Sequence, residues 1–259
     1  MKKNISKFDI IIQARIGSTR LPGKILKTYK NLTPLKILIK RLQNCKNIKN
    51  IIICTTKDPN DFKVVNFCKK EKLPYFRGSK QNVLSRYYNT AKKFNSKYII
   101  RITSDCPLVD YRIINNMIIE FQKKKPDYYA NTYPLPTKYP DGMDIEIFNF
   151  KTLEFTNRNA YLPSEREHVT PYMFKIKKFK VLKKNLHIDL SDYRFCIDYK
   201  EDFNLFKKLI DYFQNKIYNV SMFELVKYVK NNPKFIDYQK KIKRNEGWTR
   251  ALEKDEKYK

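Results

Sequence analysis

Residues 8–26 read FDIIIQARIGSTRLPGKIL and join a short apolar segment to a basic loop that contains two glycines. The apolar beginning is rich in isoleucine, which is typical of a buried strand. The loop from Gln13 to Leu26 contains Arg15, Arg20 and Lys24. Because glycines let the backbone approach an anion and the three cations neutralise it, the stretch predicts a phosphate-binding loop directly after the first strand.

Strand-like and helix-like segments alternate after this loop through the first half of the chain. Predicted strands cover Ile51–Thr56, Leu73–Gly78 and Tyr98–Asp105, and predicted helices cover Pro34–Cys45, Asn82–Phe94 and Tyr111–Lys124. The strands are apolar throughout, which is typical of strands that helices bury on both faces. The sequence therefore predicts a Rossmann-like three-layer α/β/α fold with a mostly parallel sheet, in which ligands bind beyond the carboxyl ends of the strands.

The second half of the chain has a less regular pattern. The segments DYYANTY at 127–133 and MDIEIFNF at 143–150 are predicted strands. The segment FCIDYKED at 195–202 predicts a short strand that ends near Asp198, followed by an amphipathic helix.

The 259 residues carry a formal net charge of +29, and 42% of them are hydrophobic. This composition suits one domain over 1–259 with a large core, and we expect a peripheral lysine-rich tail from about Pro233. Lysine is scattered along the chain together with Asn, Ile and Tyr, which favours the composition of an AT-rich genome over a charge selected for a polyanionic partner. Without a contiguous basic run or an aromatic stacking platform, nucleic-acid binding is the least favoured function.

The cysteines and the hydropathy of the chain indicate the cellular compartment in which the protein is expected. The five cysteines include no CxxC pair, and with only two histidines a structural zinc site is not expected. Free thiols fit a reducing cytoplasm. Since no segment approaches a membrane-spanning run of apolar residues, we expect a cytoplasmic protein that does not enter a membrane.

The basic loop does not match the common phosphate motifs. Five residues separate Gly17 from Gly23, and Ile25 follows Lys24, so the P-loop pattern fails. The dinucleotide fingerprint GxGxxG is also absent. Kinase, ATPase and dinucleotide-binding functions are therefore disfavoured.

The stretch QARIGSTRLPGKIL resembles the signature of the cytidylyltransferases that activate acidic sugars, such as 3-deoxy-manno-octulosonate and acylneuraminate, and is most similar to the spore-coat polysaccharide biosynthesis protein F branch. The resemblance implies the nucleotide-diphospho-sugar transferase fold and a homodimer. It also implies that the loop wraps the triphosphate of CTP, with Arg15 and Lys24 on phosphates. Gln13, Ala14 and Gly17 would then shape the nucleotide pocket.

A second stretch, RGSKQNVLSRYY at 77–88, resembles the family segment beside the base and sugar. The resemblance implies nucleotide-binding roles for Gly78, Asn82 and Arg86. From the residues alone, Asn82 is equally well explained as the start of a helix.

Two carboxylates are candidate metal ligands. Asp105 follows a buried strand, so it should lie at the carboxyl edge of the sheet, where it could hold Mg²⁺ against phosphate oxygens or serve as a turn residue. It also matches the metal-binding Asp of the family's second motif. Asp198 matches a later acidic position of the family, although Lys200 stands where proline is usual. Asp110 is better explained as a helix cap.

The second half supplies candidate acceptor-binding residues. The segment PDGMDIEIF contains Asp141, Asp144 and Glu146, which could bind acceptor hydroxyls or belong to a plain turn and strand. The segment SEREHVTPYMF contains Arg166, which could pair with a substrate carboxylate, and His168, which could equally be structural. The resemblance extends over both segments.

The leading hypothesis is a metal-dependent nucleotidyltransferase that moves CMP from CTP to an acidic sugar and releases pyrophosphate, for surface polysaccharide or glycan biosynthesis. Divalent cations would stabilise the charge that grows on both sides of the transferred group. The alternative is a nucleotide-sugar-dependent glycosyltransferase of similar fold. Such enzymes use an Asp-x-Asp motif, for which only the approximate Asp144-Ile145-Glu146 is available.

Overall fold

The computed structural model describes residues 7–242, 244 and 246–258. Seven strands form one sheet: β1 Phe8–Gln13, β2 Ile48–Thr56, β3 Tyr75–Gly78, β4 Tyr98–Thr103, β5 Tyr128–Ala130, β6 Glu146–Asn149 and β7 Val181–Lys183. Eleven α-helices are described: α1 Pro34–Leu42, α2 Phe62–Lys70, α3 Val83–Lys93, α4 Tyr111–Lys124, α5 Phe150–Asn159, α6 Pro163–His168, α7 Pro171–Lys175, α8 Lys200–Phe213, α9 Met222–Lys230, α10 Pro233–Gln239 and α11 Glu246–Asp255.

The strands run in the order β3-β2-β1-β4-β6-β5-β7. Only β6 runs against its neighbours β4 and β5, while the other pairs are parallel. Along β1, Ile10 and Ile12 pack in one apolar cluster with α1, α2 and α4, whereas Ile11 packs in another with α3 and α5. The predicted mostly parallel sheet with helices on both faces is therefore confirmed, and the apolar strands are explained by burial on both sides.

Polar side chains cap the helices where the sequence predicted them to begin. The side chain of Asn82 accepts a hydrogen bond from the Ser85 amide at the start of α3. That of Asp110 accepts from the Arg112 amide at the start of α4, and from the Met222 amide at 2.8 Å. Asp110 is therefore a cap, as expected.

A third apolar cluster, built largely by α8 and α9, joins the second half of the chain to the sheet. At its border lies the fully buried Arg41, whose guanidinium donates to the carbonyls of Leu108, Val109, Ile217 and Val220. Arg41 of α1 is thereby hydrogen-bonded to backbone carbonyls of both halves of the chain.

The segment before Asp198 differs from the prediction. Within the described part of the chain, residues 195–198 belong to no strand of the sheet, and an isolated bridge joins Asp141 to Arg194 just before them. Phe195 and Ile197 are apolar because they are buried in the third cluster, and burial without strand pairing gives the same sequence pattern as a strand. The helix predicted to follow is confirmed as α8.

Gly142 fixes the packing of the predicted turn against this segment. Its φ is +93°, and a Cβ atom there would lie 2.6 Å from the Cys196 nitrogen and from the Phe195 carbonyl carbon. Only glycine allows such a conformation and such a close approach. The turn that carries Asp141 is thereby held against the chain that leads to Asp198.

The residues after Pro233 were expected to form a peripheral tail, but several of them pack against the domain. In α10, the Gln239 side chain exchanges hydrogen bonds with the backbone of Arg194. In α11, the buried carboxylate of Asp255 accepts from the amide and hydroxyl of Ser164. Lysine-rich composition suggested a solvated tail, but a few buried residues dock these helices on the domain. Across the part of the chain described, no helix is both long and apolar enough to cross a membrane.

Candidate active site

A cleft of about 230 Å³ opens at the carboxyl edge of the sheet. Gln13 at the end of β1 and Thr103 at the end of β4 line it, followed by Asp105 in the next turn. The opposite wall comes from the second half of the chain and from α11. The cleft thus lies where ligands bind in open α/β sheets.

Lys24 lies between the two predicted metal-binding carboxylates. Its Nζ atom donates to Asp105 Oδ2 at 3.0 Å and to Asp198 Oδ1 at 2.8 Å. Burial by itself would lower the pKa of Lys24, but the two carboxylates outweigh it and the pKa is raised. The side chain is therefore a permanent cation in a buried position, held by residues 81 and 174 positions away in the sequence.

Both carboxylates are kept ionised by this pairing. Burial by itself would raise the pKa of Asp105, but the charge of Lys24 lowers it below its ordinary value. Burial would likewise raise the pKa of Asp198, but Lys24, Arg20 and Arg194 together lower it well below its ordinary value. Two ionised carboxylates therefore meet at one cation at the edge of the sheet.

Arg20 extends this network toward the C-terminus. Its guanidinium donates to Asp198 Oδ1 at 2.8 Å and to Glu246 Oε2 at 2.9 Å, and lies 5.2 Å from the centroid of the Tyr199 ring. Of the cations of the predicted phosphate loop, Arg20 thus lines the cleft, and Lys24 contacts two carboxylates that line it. Gln13 of the same loop also lines the cleft, whereas Ala14 is buried under the strand end and Arg15 and Gly17 are exposed.

Arg194 is a residue of the cleft that the sequence did not reveal. It is buried and donates to Asp198 Oδ2 at 2.7 Å, to Asp202 Oδ1 at 3.1 Å and to Asp141. Asp202 also accepts from the amides of Asp198 and Tyr199. In the sequence, Arg194 stands four residues before Asp198. This spacing normally indicates an ion pair on the surface of a helix, so it did not point to a buried cation in a loop.

The Glu146 carboxylate is held by hydrogen bonds from three side chains. Arg101, the Tyr128 hydroxyl and the Thr170 hydroxyl all donate to it, and it is almost fully buried. Glu146 also lines the cleft, and three donors leave part of the accepting capacity of its two oxygens unused, so its role toward acceptor hydroxyls stays a prediction. Through Arg101, which also donates to Gln13 Oε1 at 3.1 Å, it positions the end of β1.

Asp141 and Asp144 both line the cleft, as expected for acceptor-side residues. Asp141 is paired with Arg194. Asp144 accepts from the Thr132 hydroxyl at 2.6 Å, and Arg244 Nη2 lies 3.7 Å away. Burial, with the neighbouring charge of Asp141, raises the pKa of Asp144 to about 6.

Three predicted nucleotide-binding residues lie around the start of α3 and do not line the cleft. Arg86 is buried and donates to the Ser79 carbonyl, and its Cγ would lie 3.0 Å from a Cβ atom placed on Gly78. Asn82 caps α3. All three residues shape the turn after β3, and their roles toward a nucleotide remain a prediction.

Arg166 and His168 are separated by the structure although both lie in α6. Arg166 donates to Asn157 at 3.3 Å and is not in the cleft wall, so the structure does not place it on the acceptor side. His168 does line the cleft, where its ring meets that of Trp248 edge to face with centroids 5.1 Å apart. Burial, with the charge of Arg101, lowers the pKa of His168 to about 4.

This lowered pKa predicts a loss of stability in acid. Below its ordinary value of 6.5 the unfolded chain binds a proton at His168, whereas the folded chain does so only near pH 4. The free energy of unfolding of the wild type should therefore fall, relative to His168→Gln, by about 3 kcal/mol between pH 7 and pH 4. Urea denaturation of both proteins at each pH measures this difference in the free energy of unfolding. The carboxylates are the same in both proteins, so their titration cancels. A difference that is independent of pH would contradict the assignment.

The donor set at the edge of the sheet is suited to a cation that is also bound by phosphate. Among the residues the structure describes, no three His, Cys, Asp or Glu side chains form a metal-binding group by themselves. Asp105 and Asp198 nevertheless converge on the single ammonium of Lys24. Two hard oxygen donors fit Mg²⁺, which commonly takes one or two carboxylates and completes its shell with water and phosphate oxygens.

Comparisons with known proteins identify the family of the chain. A sequence model of the family described as cytidylyltransferase matches residues 10–256. A solved cytidylyltransferase from Leptospira borgpetersenii serovar Hardjo-bovis is 37% identical with a TM-score of 0.83, covering 89% of this chain and 97% of that one. The spore coat polysaccharide biosynthesis protein SpsF of Bacillus subtilis is 32% identical over 231 residues, 86% of this chain and 94% of its own. The 3-deoxy-manno-octulosonate cytidylyltransferase of Fusobacterium nucleatum is 32% identical over 198 residues, 75% of this chain and 77% of its own. This chain belongs to the cytidylyltransferase family.

Proposed function

We propose that the chain transfers CMP from CTP to a hydroxyl group of an acidic sugar and releases pyrophosphate, with the help of a divalent cation. The observation that carries the proposal is the position of Lys24 between Asp105 and Asp198 at the carboxyl ends of β1 and β4. The names of the two curated relatives, a polysaccharide biosynthesis protein and a sugar-acid cytidylyltransferase, support the choice of acceptor class.

The phosphate loop supplies the cations of the reaction. Lys24 and Arg20 are assigned to the triphosphate, where they would stabilise the negative charge that grows on the departing pyrophosphate. Arg15 is exposed on the same loop and is assigned to phosphate oxygens at the mouth of the cleft. Asp105 and Asp198 would hold the divalent cation, which when bound offsets phosphate charge and lowers the pKa of a bound hydroxyl.

Asp144 is assigned to the acceptor. It lies in the same cleft as Asp105, and its pKa near neutrality suits a group that accepts a hydrogen bond, and briefly a proton, from an attacking hydroxyl. The glycosyltransferase alternative is weakened because the chain offers only the approximate Asp144-Ile145-Glu146 in place of an Asp-x-Asp motif, and because the family model that matches is a cytidylyltransferase.

The reaction would take place in the cytoplasm. The five cysteines of the described residues are free, and Cys106 and Cys196 line the cleft. Free thiols beside an active site suit a reducing compartment.

Pyrophosphate release tests the proposal. The purified chain is incubated with MgCl₂, one of CTP, UTP, ATP or GTP, and a panel of eight-carbon and nine-carbon sugar acids. We expect release that requires both CTP and one of the sugar acids. Release that prefers another nucleotide, or no release with any combination, would count against the proposed function.

A further inference from the structure

The C-terminal segment, whose described residues are 233–242, 244 and 246–258, contributes Ile242, Glu246, Gly247 and Trp248 to one wall of the cleft. Ala251 is almost fully buried, and Asp255 binds Ser164 of α6, so α11 is fixed against the domain. The other end of α11 carries Glu246, which accepts from Arg20 of the phosphate loop at 2.9 Å and from the Tyr199 hydroxyl at 2.8 Å. The segment therefore connects the phosphate side of the cleft with its opposite side.

Aromatic rings line that opposite side. The indole of Trp248 lies edge to face with His168 and 6.2 Å from the Tyr133 ring, and all three line the cleft. Tyr133 in turn stacks on Phe174, with centroids 5.4 Å apart and an interplanar angle of 4°. An aromatic wall at the rim of a polar cleft suits the C–H face of a sugar ring, which is apolar although the ring carries hydroxyls.

His168 supplies an unpaired hydrogen-bonding atom at the same place. Its Nε2 atom is enclosed and has no hydrogen-bond partner among the described residues. The imidazole is hydrogen-bonded to the backbone of Gly247, and this bond raises the pKa of the ring. A bond that favours the protonated ring is one in which a ring N–H donates to the backbone carbonyl. Since Nε2 is unpaired, this donor is Nδ1, and Nε2 of the neutral ring is left as an acceptor.

An enclosed acceptor without a partner is unfavourable, and a hydrogen bond from a ligand hydroxyl would remove that cost. A hydroxyl can reach Nε2 only if a neighbouring group moves, and the Trp248 indole is the neighbour contributed by the C-terminal segment. Binding at this place should therefore shift the indole and change its surroundings.

We infer that Trp248, Tyr133 and His168 form the acceptor-sugar subsite, with Trp248 and Tyr133 packing on the sugar ring and His168 Nε2 accepting from one of its hydroxyls. Trp248 is thereby a specificity-determining residue that the C-terminal segment brings to the cleft. The inference rests on the proposed function for the identity of the ligand, but binding to the subsite does not require turnover.

Trp248 is the only tryptophan of the chain, so the emission of the unmodified protein reports on this subsite. The protein is titrated, in the presence of MgCl₂ and CMP, with the same eight-carbon and nine-carbon sugar acids and with glucose as the neutral control. We expect one or more sugar acids to change the emission saturably. Absence of any change over the whole panel would overturn the subsite.

Steady-state kinetics with the sugar that binds give the second readout. Trp248→Ala and His168→Phe should each raise KM for the sugar about tenfold and leave KM for CTP within about twofold, because the indole and Nε2 face the sugar alone. Trp248→Phe keeps an aromatic ring and should stay within about threefold of the wild type, which guards against a folding defect. Tyr258→Ala, an exposed aromatic of the same segment, is the matched control and should change neither constant.

The outcomes separate this inference from the proposed function. Saturable emission changes without pyrophosphate release from any nucleotide would leave the subsite standing and remove the transfer reaction. Pyrophosphate release with a sugar whose KM is unchanged in Trp248→Ala would leave the reaction standing and remove the subsite.

Discussion

Replacing Lys24 with methionine is expected to lower kcat/KM for pyrophosphate release by about 10²–10³-fold. Methionine has a similar length but no charge, so the departing pyrophosphate loses a buried cation placed where its charge develops. The loss should be large because Lys24 is buried and its ammonium is already held in place by Asp105 and Asp198. Pyrophosphate release measured over a range of CTP concentrations gives the constant.

The same substitution should also affect stability. Lys24 is the cation paired with Asp105, whereas Asp198 keeps Arg20 and Arg194. Removing one member of a buried ion pair leaves an uncompensated charge, at a cost of about 3–5 kcal/mol, so thermal unfolding must be recorded beside activity. Lys27→Met is the matched control, because Lys27 is exposed three positions later. A kcat/KM within threefold of the wild type in a folded Lys24→Met protein would contradict the role given to this residue.

Asp105→Asn is expected to reduce kcat by about 10³-fold, equivalent to about 4 kcal/mol of transition-state stabilisation. Asparagine has nearly the same shape and can still accept one hydrogen bond from Lys24, but it is neutral and a poor ligand for a hard cation. We therefore expect the affinity for Mn²⁺ in the presence of CTP, measured by calorimetry, to fall together with the activity.

The calorimetric measurement distinguishes a metal ligand from a residue that only holds Lys24. If Asp105 acts solely through Lys24, the substitution would reduce activity and leave the affinity for Mn²⁺ unchanged. Asp189→Asn is the control for loss of one negative charge, because Asp189 is exposed and does not line the cleft. It should alter neither kcat nor the affinity for Mn²⁺.

Features that depend on neighbouring residues in the sequence could be predicted well. The apolar strands and the capped helices of the first half follow from local periodicity and from side chains such as Asn82 and Asp110. Because parallel strands end at the same edge of a sheet, Asp105 and the loop with Lys24 could also be placed together.

Features that depend on distant partners could not be predicted. The sequence did not show that Arg101, Tyr128 and Thr170, each from a different part of the fold, would donate hydrogen bonds to Glu146. Arg194 gave no local signal of burial, because a charged residue is buried only when partners such as Asp141 and Asp202 surround it.

The C-terminal segment shows how composition can mislead. Its lysines indicated a solvated tail, but docking depends on a few positions: Gln239, Ala251 and Asp255 are buried and fix two helices against the domain. Average hydrophobicity does not report such contacts, because the energy lies in specific hydrogen bonds and in one packed face. The same docking brings Trp248 to the cleft, far in sequence from Lys24.

The most direct test of CMP transfer is a ³¹P NMR spectrum of the reaction. The chain is mixed with CTP, MgCl₂ and the sugar acid that gives pyrophosphate release, with Lys24→Met as the matched control. We expect the CTP resonances to decline while a phosphodiester resonance and pyrophosphate appear in equal amounts. CTP that remains unchanged with every sugar acid, or that is converted to CDP and inorganic phosphate, would contradict CMP transfer by this chain.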